Sequence, residues 1–410
     1  TCAGAGIMPI TWEGAGGMAA ALLRSHQVPR PDHERLAAVE ADARKAYYGG
    51  HFEVSRRGAL EQVHAYDINS AYPAIYADLP CLDHGRWELV NDGDQAPADG
   101  EAMFTYLIYD QPDTPWPVFP FRISAGNIAN RRQGRGWHPS CLVDLAANDP
   151  TTMLFPIRTW YYTRECNCRH FDWVGELFVE RQRLGKALKG YPIKLGLNSL
   201  YGKFAQSVGH PTHATPIWAT LITGWVRVQV DRVAQRHPDT CAMIATDAVY
   251  LVGDTAPELD CGAALGQWSH ARYDDMVVCQ PGYYWTRDGD ATVSSHTRGV
   301  SKAADVDWAT ILDRATSLDV PLKVTMTRYH GWREAWHRGK PDLAGIWDDG
   351  TSDLVWGGPK RRWEGQVGLS HIGDMREESI PHKGLMGGDA LHVEAAFGEL
   401  WDDDLGLQFG

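Results

Sequence analysis

The chain has 410 residues, 44% of them hydrophobic, with a formal charge of −13 and a pI near 5.7. That length allows two or three packed units with ample core, and there is no run of about 18 apolar residues to cross a membrane. Net acidity, taken alone, argues against a nucleic-acid partner, and the opening "TCAGAGIMPITWEGAGG" lacks the basic start and continuous apolar core of a secretory signal.

Taken in chain order, residues 17–46 read as helical, stopped by Gly49 and Gly50. Residues 51–67 alternate as a strand that ends in "VHAYD". From 80 to 165, frequent prolines, glycines and short apolar runs predict short strands and loops. A helix is expected over 173–189, broken by Gly190, and a second begins near Pro192, whose missing N–H costs nothing in a first turn. Residues 217–235 form another helix, and "CAMIATDAVYLVG" reads as two short strands about a tight turn. Beyond about residue 300 the pattern is mixed, and the last fifty residues are rich in Gly, Asp and Trp.

Eight cysteines without a framework spacing fit reduced thiols in a cytoplasm. The close pair in "ECNCRHFDW" (Cys166, Cys168, with His170 and Asp172) has no second pair at zinc spacing, so buried or half-buried thiols are expected there. The basic residues are unevenly spread. Of ten lysines, four (Lys186, Lys189, Lys194 and Lys203) fall with Arg181 and Arg183 in a window that holds no acidic residue. An acidic protein with one concentrated basic segment is arranged to hold a polyanion at one place; a solvated helix face is the plainer alternative.

Three stretches have the residue types of phosphoryl chemistry. In "AYDINSAYP", Asp67 ends a strand and Ser70 is a predicted N-cap, which would aim the N–H groups of about Ile68 to Ala71 at one spot beside a carboxylate. In "TDAVYLV", Asp247 sits at a hairpin tip, either a turn former or the second carboxylate of a two-cation site. In "KLGLNSLYGKFAQ", Lys194, Asn198, Tyr201 and Gly202 share one helical face, while Leu195, Leu197 and Leu200 occupy others. A cation, an amide, a flat ring and a glycine make a binding surface rather than a core stripe.

In chain order the three stretches resemble family B DNA polymerases, most closely the protein-primed and phage branch. "DINSAYP" is similar to that family's motif A (D-x-x-S-L-Y-P), "KLGLNSLYG" fits motif B (K-x-x-x-N-S-x-Y-G) at every fixed position, and "ATDAVY" resembles motif C (D-T-D-S). "YYGG" at 47–50 fits the Y-x-G-G element that joins exonuclease to polymerase in these enzymes, and the recognisable part runs from about 45 to 302.

The resemblance implies an α+β right-hand fold: a palm with an antiparallel sheet and packed helices, short helical fingers and a small thumb. Residues 1–46 would be an N-terminal helical segment left from the exonuclease junction. Residues 47–174 would be the first part of the palm with a reduced insertion, 175–207 the fingers, 208–304 the second part of the palm, and 305–410 the thumb and tail, where "GPKRRW" would touch duplex backbone. It implies template-directed DNA synthesis, with Asp67, Asp247 and the Ile68 carbonyl holding two Mg²⁺ ions, or Mn²⁺ as a substitute. Tyr72 would exclude a ribose 2′-OH. Ser70, Ala71, Lys194 and Arg183 would meet the incoming nucleotide, and Asn198 and Tyr201 would line the nascent base pair. Tyr47, Gly49, Gly50, Gly202, Lys203, Tyr284 and Lys302 would contact DNA. Implied partners are primer-template DNA, dNTPs, and a priming terminal protein or a separate exonuclease, with no membrane, in the cytoplasm of a host cell.

The departures are specific. Ala245 and Ala248 replace the first aspartate and the serine of motif C, and "CQPGYYWT" keeps Tyr284 but has no lysine of the family's K-x-Y element, a charge that Lys302 would supply. Only 46 residues precede Y-x-G-G, so no proofreading is expected of the chain alone, and about 40 residues between motifs B and C leave little room for the processivity insertion. The same departures motivate a second reading, a degenerate polymerase fold that binds nucleic acid without synthesis. A third, primase-like or non-templated synthesis, is opposed by Tyr72.

Overall fold

The helix expected over 17–46 divides into α1 (Gly14–Ser25) and α2 (His33–Ala46). Gln27 takes a left-handed φ of 52°, Pro29 and Pro31 cannot continue a helix, and the Asp32 side chain restarts it by accepting from the N–H groups of Glu34 and Arg35. The computed structural model describes residues 7, 14–122, 128–185, 190–207, 211–254, 256–289, 294–297, 307–357, 361–363 and 377–381. Lys186, Lys189 and Lys302 lie outside these residues.

The expected 51–67 strand is β1 (His51–Val54) and β2 (Arg56–Ile68), followed by a five-residue helix α3 (Ala71–Ile75) and a 3-10 turn at Tyr76–Asp78. The proline- and glycine-rich span holds β3 (Arg86–Asn91), β4 (Gly100–Asp110), β5 (Pro120–Arg122), β6 (Ile128–Asn130), β7 (Gln133–Pro139), α4 (Ser140–Ala146) and β8 (Met153–Thr163). Its strands are less short than expected. β4 and β8 are 11 residues each, pair along their length, and with β3 and β7 make a sheet in the order β3-β8-β4-β7.

The next helix, α5 (Trp173–Leu184), ends earlier than predicted, because Gly185 adopts a φ of +76° that other residues resist. Gly190 does not break a helix; it begins α6 (Gly190–Phe204). α7 (Pro216–Arg236) lies within a residue of its predicted bounds, with Pro216 in its first turn. The predicted hairpin is β9 (Cys241–Thr246) and β10 (Ala248–Val252), turning at Asp247. The remaining elements are β11 (Trp268–Gln280), β12 (Tyr283–Arg287), β13 (Ser294–Thr297), α8 (Trp308–Arg314), β14 (Leu322–Tyr329), α9 (Trp332–His337), β15 (Trp347–Leu354), β16 (Arg361–Trp363) and β17 (Glu377–Pro381).

An antiparallel sheet in the order β1-β9-β10-β2-β11-β12-β13 organises the rest, with β17 added against the start of β2. Strand alternation gives β2 two faces. Tyr66 and Ile68 join Val226, Val230 and Val233 of α7, together with Ile244, Val249, Leu251 and Trp268, in one buried cluster. Val63 and Ala65 face the other way, with Met243, Ala248, Tyr250, Met276 and Tyr284. Asp67 follows Val63 and Ala65 in phase, so it stands on the face that α7 does not cover.

Buried polar pairs lock α7 to β1. His51 lies between two carboxylates, its Nδ1 2.5 Å from Asp231 Oδ1 on α7 and its Nε2 2.8 Å from Glu53 Oε2. Burial alone would lower the His51 pKa, but Asp231 and Glu53 outweigh it and hold the imidazole above its ordinary value. One turn earlier on α7, Arg227 Nε donates to the Gly49 carbonyl at 2.9 Å and Nη1 to Asn130 Oδ1 at 3.3 Å. His51→Ala removes the imidazole that two buried carboxylates share. It should cost about 3–5 kcal/mol in chemical denaturation at neutral pH, with His51→Gln, which keeps a donor, losing less.

Candidate active site

A cleft of about 850 Å³ opens where the uncovered face of the central sheet meets α3, α5 and α6. Asp67, Asp247, Ser70, Ala71, Tyr72, Arg181, Lys194 and Asn198 line it. Asp67 and Asp247 are brought together by sheet register. Asp67 pairs with Ala248 across β2 and β10 and with Ser269 across β2 and β11, and Ser269 Oγ donates to the Asp67 carbonyl at 3.1 Å. Asp247 adjoins Ala248 at the hairpin tip. Its N–H bonds the Ala245 carbonyl at 2.9 Å across Thr246, whose φ is 67°. An i to i+2 bond over a positive-φ residue is a strained γ-turn, and a threonine there stores energy that the surrounding sheet must hold.

The N-terminus of α3 differs from its prediction. Ser70 has a φ of 53° and makes no side-chain cap; its Oγ instead accepts from Arg181 Nη1 at 3.0 Å. The N–H groups of Ile68 and Asn69 are not free to converge on a ligand, since they bond the carbonyls of Asp247 and Gln267 at 3.0 and 2.8 Å. Of the predicted set, the N–H groups of Ser70 and Ala71 belong to residues that line the cleft.

Side chains from α5 and α6 also line the cleft. Lys194 and Asn198 face the cleft, and Asn198 Oδ1 is buried without a hydrogen-bond partner among the described residues. Tyr201, one turn on, packs against Tyr72 with ring centroids 4.4 Å apart. The pair is held from behind by Tyr76, whose hydroxyl donates to the Leu197 carbonyl at 3.2 Å and accepts from the Tyr201 N–H at 3.1 Å. Among the described residues, nothing lies within 4 Å of where a Gly202 Cβ would be, so they leave that face open.

Arg183, expected to meet the nucleotide, has another partner in the structure. It pairs with Glu180 through two bonds of 2.7 and 2.6 Å and does not line the cleft. Arg181 lines the cleft instead, with Phe178, Gln182 and Gly185 on the same helical face. That i, i+3, i+4, i+7 spacing was available in the sequence as the signal that separates the two arginines. Tyr191, Asn69 and Ser269 are further lining residues that sequence reasoning missed.

The remaining predicted contacts are spread around the cleft. The Tyr47 carbonyl accepts from Arg122 Nη2 at 2.6 Å, and Gly49 is held by Arg227, so two arginines fix the "YYGG" backbone. A Cβ on Gly50 would come 2.6 Å from Thr246 Cγ2 and 2.9 Å from the Tyr72 hydroxyl, so this glycine is required by close approach. Lys203 lies over Gly16 of α1 and donates to Gln206 Oε1 at 3.0 Å. Tyr284 and Tyr250 share a 2.6 Å hydroxyl–hydroxyl bond on the face that carries Asp67. The side chains of "GPKRRW" lie outside those described.

The two carboxylates are electrostatically uncomfortable as they stand. Burial, then the charge of Asp67, push Asp247 up to about 7, against a smaller downward pull from Lys194. Burial likewise raises Asp67, opposed by Lys194.

No protein-family model matches the chain. A DNA polymerase of Acidianus bottle-shaped virus (isolate Italy/Pozzuoli) is 27% identical over 268 residues, which are 61% of this chain and 39% of that protein. The chain thus spans well under half of the curated relative it matches. Among solved structures, phi29 DNA polymerase with primer-template DNA and incoming nucleotide superposes at a TM-score of 0.61 with 15% identity, over 83% of this chain and 67% of that one. Its post-translocation complex with primer-template DNA gives 0.62 with 16% identity over 85% and 68%, and its orthorhombic crystal form 0.63 with 15% over 83% and 67%. The fold is therefore the right hand of phi29 DNA polymerase, and in sequence and fold the chain resembles the phage-type family B DNA polymerases.

The raised Asp247 pKa gives a stability test with a definite sign. An aspartate near 3.8 when unfolded and about 7 when folded binds more protons in the folded state between those values, so it weakens the fold progressively as pH rises from about 4 to 7. In cation-free buffer at pH 8, Asp247→Asn should be more stable than the wild type by about 2 kcal/mol or more. The gain should vanish below about pH 4 and shrink when a divalent cation is added.

Proposed function

We propose that the chain carries out template-directed DNA synthesis, adding dNTPs to a primer 3′-OH. The observation that carries this reading is the convergence of Asp67 and Asp247 with Lys194 and Arg181 in one cleft. Two partly buried carboxylates, both raised by burial and Asp247 further by the charge of Asp67, beside a main-chain carbonyl, are a hard oxygen donor set suited to Mg²⁺, with Mn²⁺ as a substitute. Asp67, Asp247 and the Ile68 carbonyl would hold the two ions, which when bound supply activation of the 3′-OH and charge for the pyrophosphate leaving group.

The chain's own residues do the rest. Lys194 and Arg181 would meet the triphosphate, near Ser70 and Ala71, with which they line the cleft. The tilted Tyr72–Tyr201 pair forms a wall against which a deoxyribose fits and a 2′-OH does not. Asn198 offers a buried acceptor, and open space over Gly202 admits a base pair. Tyr47, Gly49 and Gly50 border the template path, and Tyr284 and Lys203 border the primer duplex. On this reading residues 47–174 and 208–304 are palm, 175–207 fingers and 305–410 thumb, with primer-template DNA as the main partner. Phosphate contacts dominate its affinity, so binding weakens with salt.

A second reading has one specific observation behind it. Ala245 pairs with Ala248, which pairs with Asp67, so the row across β9, β10 and β2 carries one carboxylate where the family's motif C would add another. A binding module without synthesis would look the same except in turnover.

Extension of a labelled primer on a template, with Mg²⁺ and dNTPs, separates the two. The wild type should give template-directed products, and Asp67→Asn and Asp247→Asn should each fall to background while still binding DNA. Tight binding with no extension, in Mg²⁺ or Mn²⁺, would establish the binding module instead. The arginine assignment has its own readout in single-nucleotide kinetics. Arg181→Ala should lower kcat/KM for dNTP by about 10- to 100-fold, the loss of one charge-assisted contact, while Arg183→Ala stays within about twofold.

A further inference from the structure

We propose that the chain carries a structural zinc site, distinct from the polymerase cleft, formed by Cys81, His84, Cys166 and Cys168. The partner pair missing from the sequence around Cys166 and Cys168 is supplied from more than eighty residues earlier in the chain, as Cys81 and His84. One ligand atom from each of the four lies within 4.8 Å of all the others. Cys81 Sγ is 3.6 Å from His84 Nδ1, and Cys168 Sγ is 3.3 Å from the same nitrogen. Tetrahedral zinc, with Zn–S near 2.3 Å and Zn–N near 2.0–2.1 Å, sets sulfur and nitrogen about 3.6 Å apart and two sulfurs about 3.8 Å apart. All three cysteines are free thiols. Three thiolates and an imidazole form a closed, soft donor set that suits zinc and leaves no position open for catalysis.

The site is built rather than incidental. The loop that carries Cys81 and His84 is held by side chains distant in sequence. Trp218 Nε1 donates to the Pro80 carbonyl at 2.8 Å, the Tyr162 hydroxyl to the Cys81 carbonyl at 2.9 Å, and Arg35 Nη1 to the Gly85 carbonyl at 3.0 Å. Gly85 is packed so closely on the Tyr162 ring that a Cβ would overlap it, at 1.8 Å. His170 Nε2 stands 3.3 Å from Cys81 Sγ, placed to donate its N–H to a thiolate and so support a ligand from outside the set.

Its position gives the metal a mechanical role. Cys81 and His84 follow the turn that leaves α3, and Cys166 and Cys168 precede α5, the helix that brings Arg181 to the cleft. An ion shared between them ties the start of α5 to the segment that carries Tyr72.

The test is metal content of the tag-free full chain, purified from medium containing zinc, by mass spectrometry of metals. About one zinc per chain is expected, lost in Cys168→Ser and His84→Ala and kept in His170→Ala and in Asp67→Asn. Should the ligand variants fail to fold, the wild type still decides. Exchange of its zinc for Co²⁺ should give the intense visible bands of tetrahedral cobalt and a thiolate-to-metal charge-transfer band in the near ultraviolet. Zinc below about 0.1 per chain without those bands, a disulfide among the three cysteines, or zinc retained in Cys168→Ser would overturn the proposal. So would loss of zinc in His170→Ala, which would mean a different ligand set. None of these readouts requires DNA synthesis, so the site stands or falls apart from the polymerase reading.

Discussion

Two like charges held close in a half-buried cleft are the constraint around which this molecule is arranged. Asp67 and Asp247 do not attract each other. They are forced together by the antiparallel pairing of β2 with β10 and by the turn at Thr246. Everything that fixes those strands therefore serves the carboxylates: the α7 valines beneath the sheet, the ion pairs of His51, and the arginines that hold the backbone of residues 47–49. The apolar core supplies the stability that this repulsion consumes, in keeping with functional sites that cost the fold energy.

The face of the sheet opposite α7 shows how the cleft is divided. The sheet contributes negative charge, and the helices α5 and α6 contribute positive charge and flat rings. A chain of net charge −13 can thus present one locally basic wall to an anionic ligand, with the acidic residues of the sheet set to be neutralised by cations rather than by protein.

The sequence was most legible where physics is local. The period of α7, the hairpin about Asp247 and the shared face of Lys194, Asn198 and Tyr201 all follow from short-range spacing, and each stands near its expected bounds. Errors came where tertiary contacts override local preference. Ser70 has the composition of an N-cap, but Arg181 claims its hydroxyl and the backbone turns left-handed. Arg183 has a partner three residues away that a charge count over 181–203 stops just short of including. Gly185, not Gly190, ends α5, because two glycines close together give no local cue as to which takes the positive φ. The Cys81–His84 pair was invisible for a different reason: spacing rules find ligands contributed by one hairpin, and these come from two loops joined only in the folded chain.

Gly50 has a consequence for how variation in this chain should be interpreted. Its missing side chain leaves the space in which the Tyr72 hydroxyl and the Thr246 methyl come together, so the wall of the proposed nucleotide pocket, the strained hairpin tip and the segment that leads into β1 meet at one point. In a random mutant library this position would tolerate almost nothing. Yet the intolerance would report crowding among three pieces of protein, not a lost grip on DNA. A glycine in a motif that borders a nucleic-acid path can be indispensable without touching the nucleic acid at all.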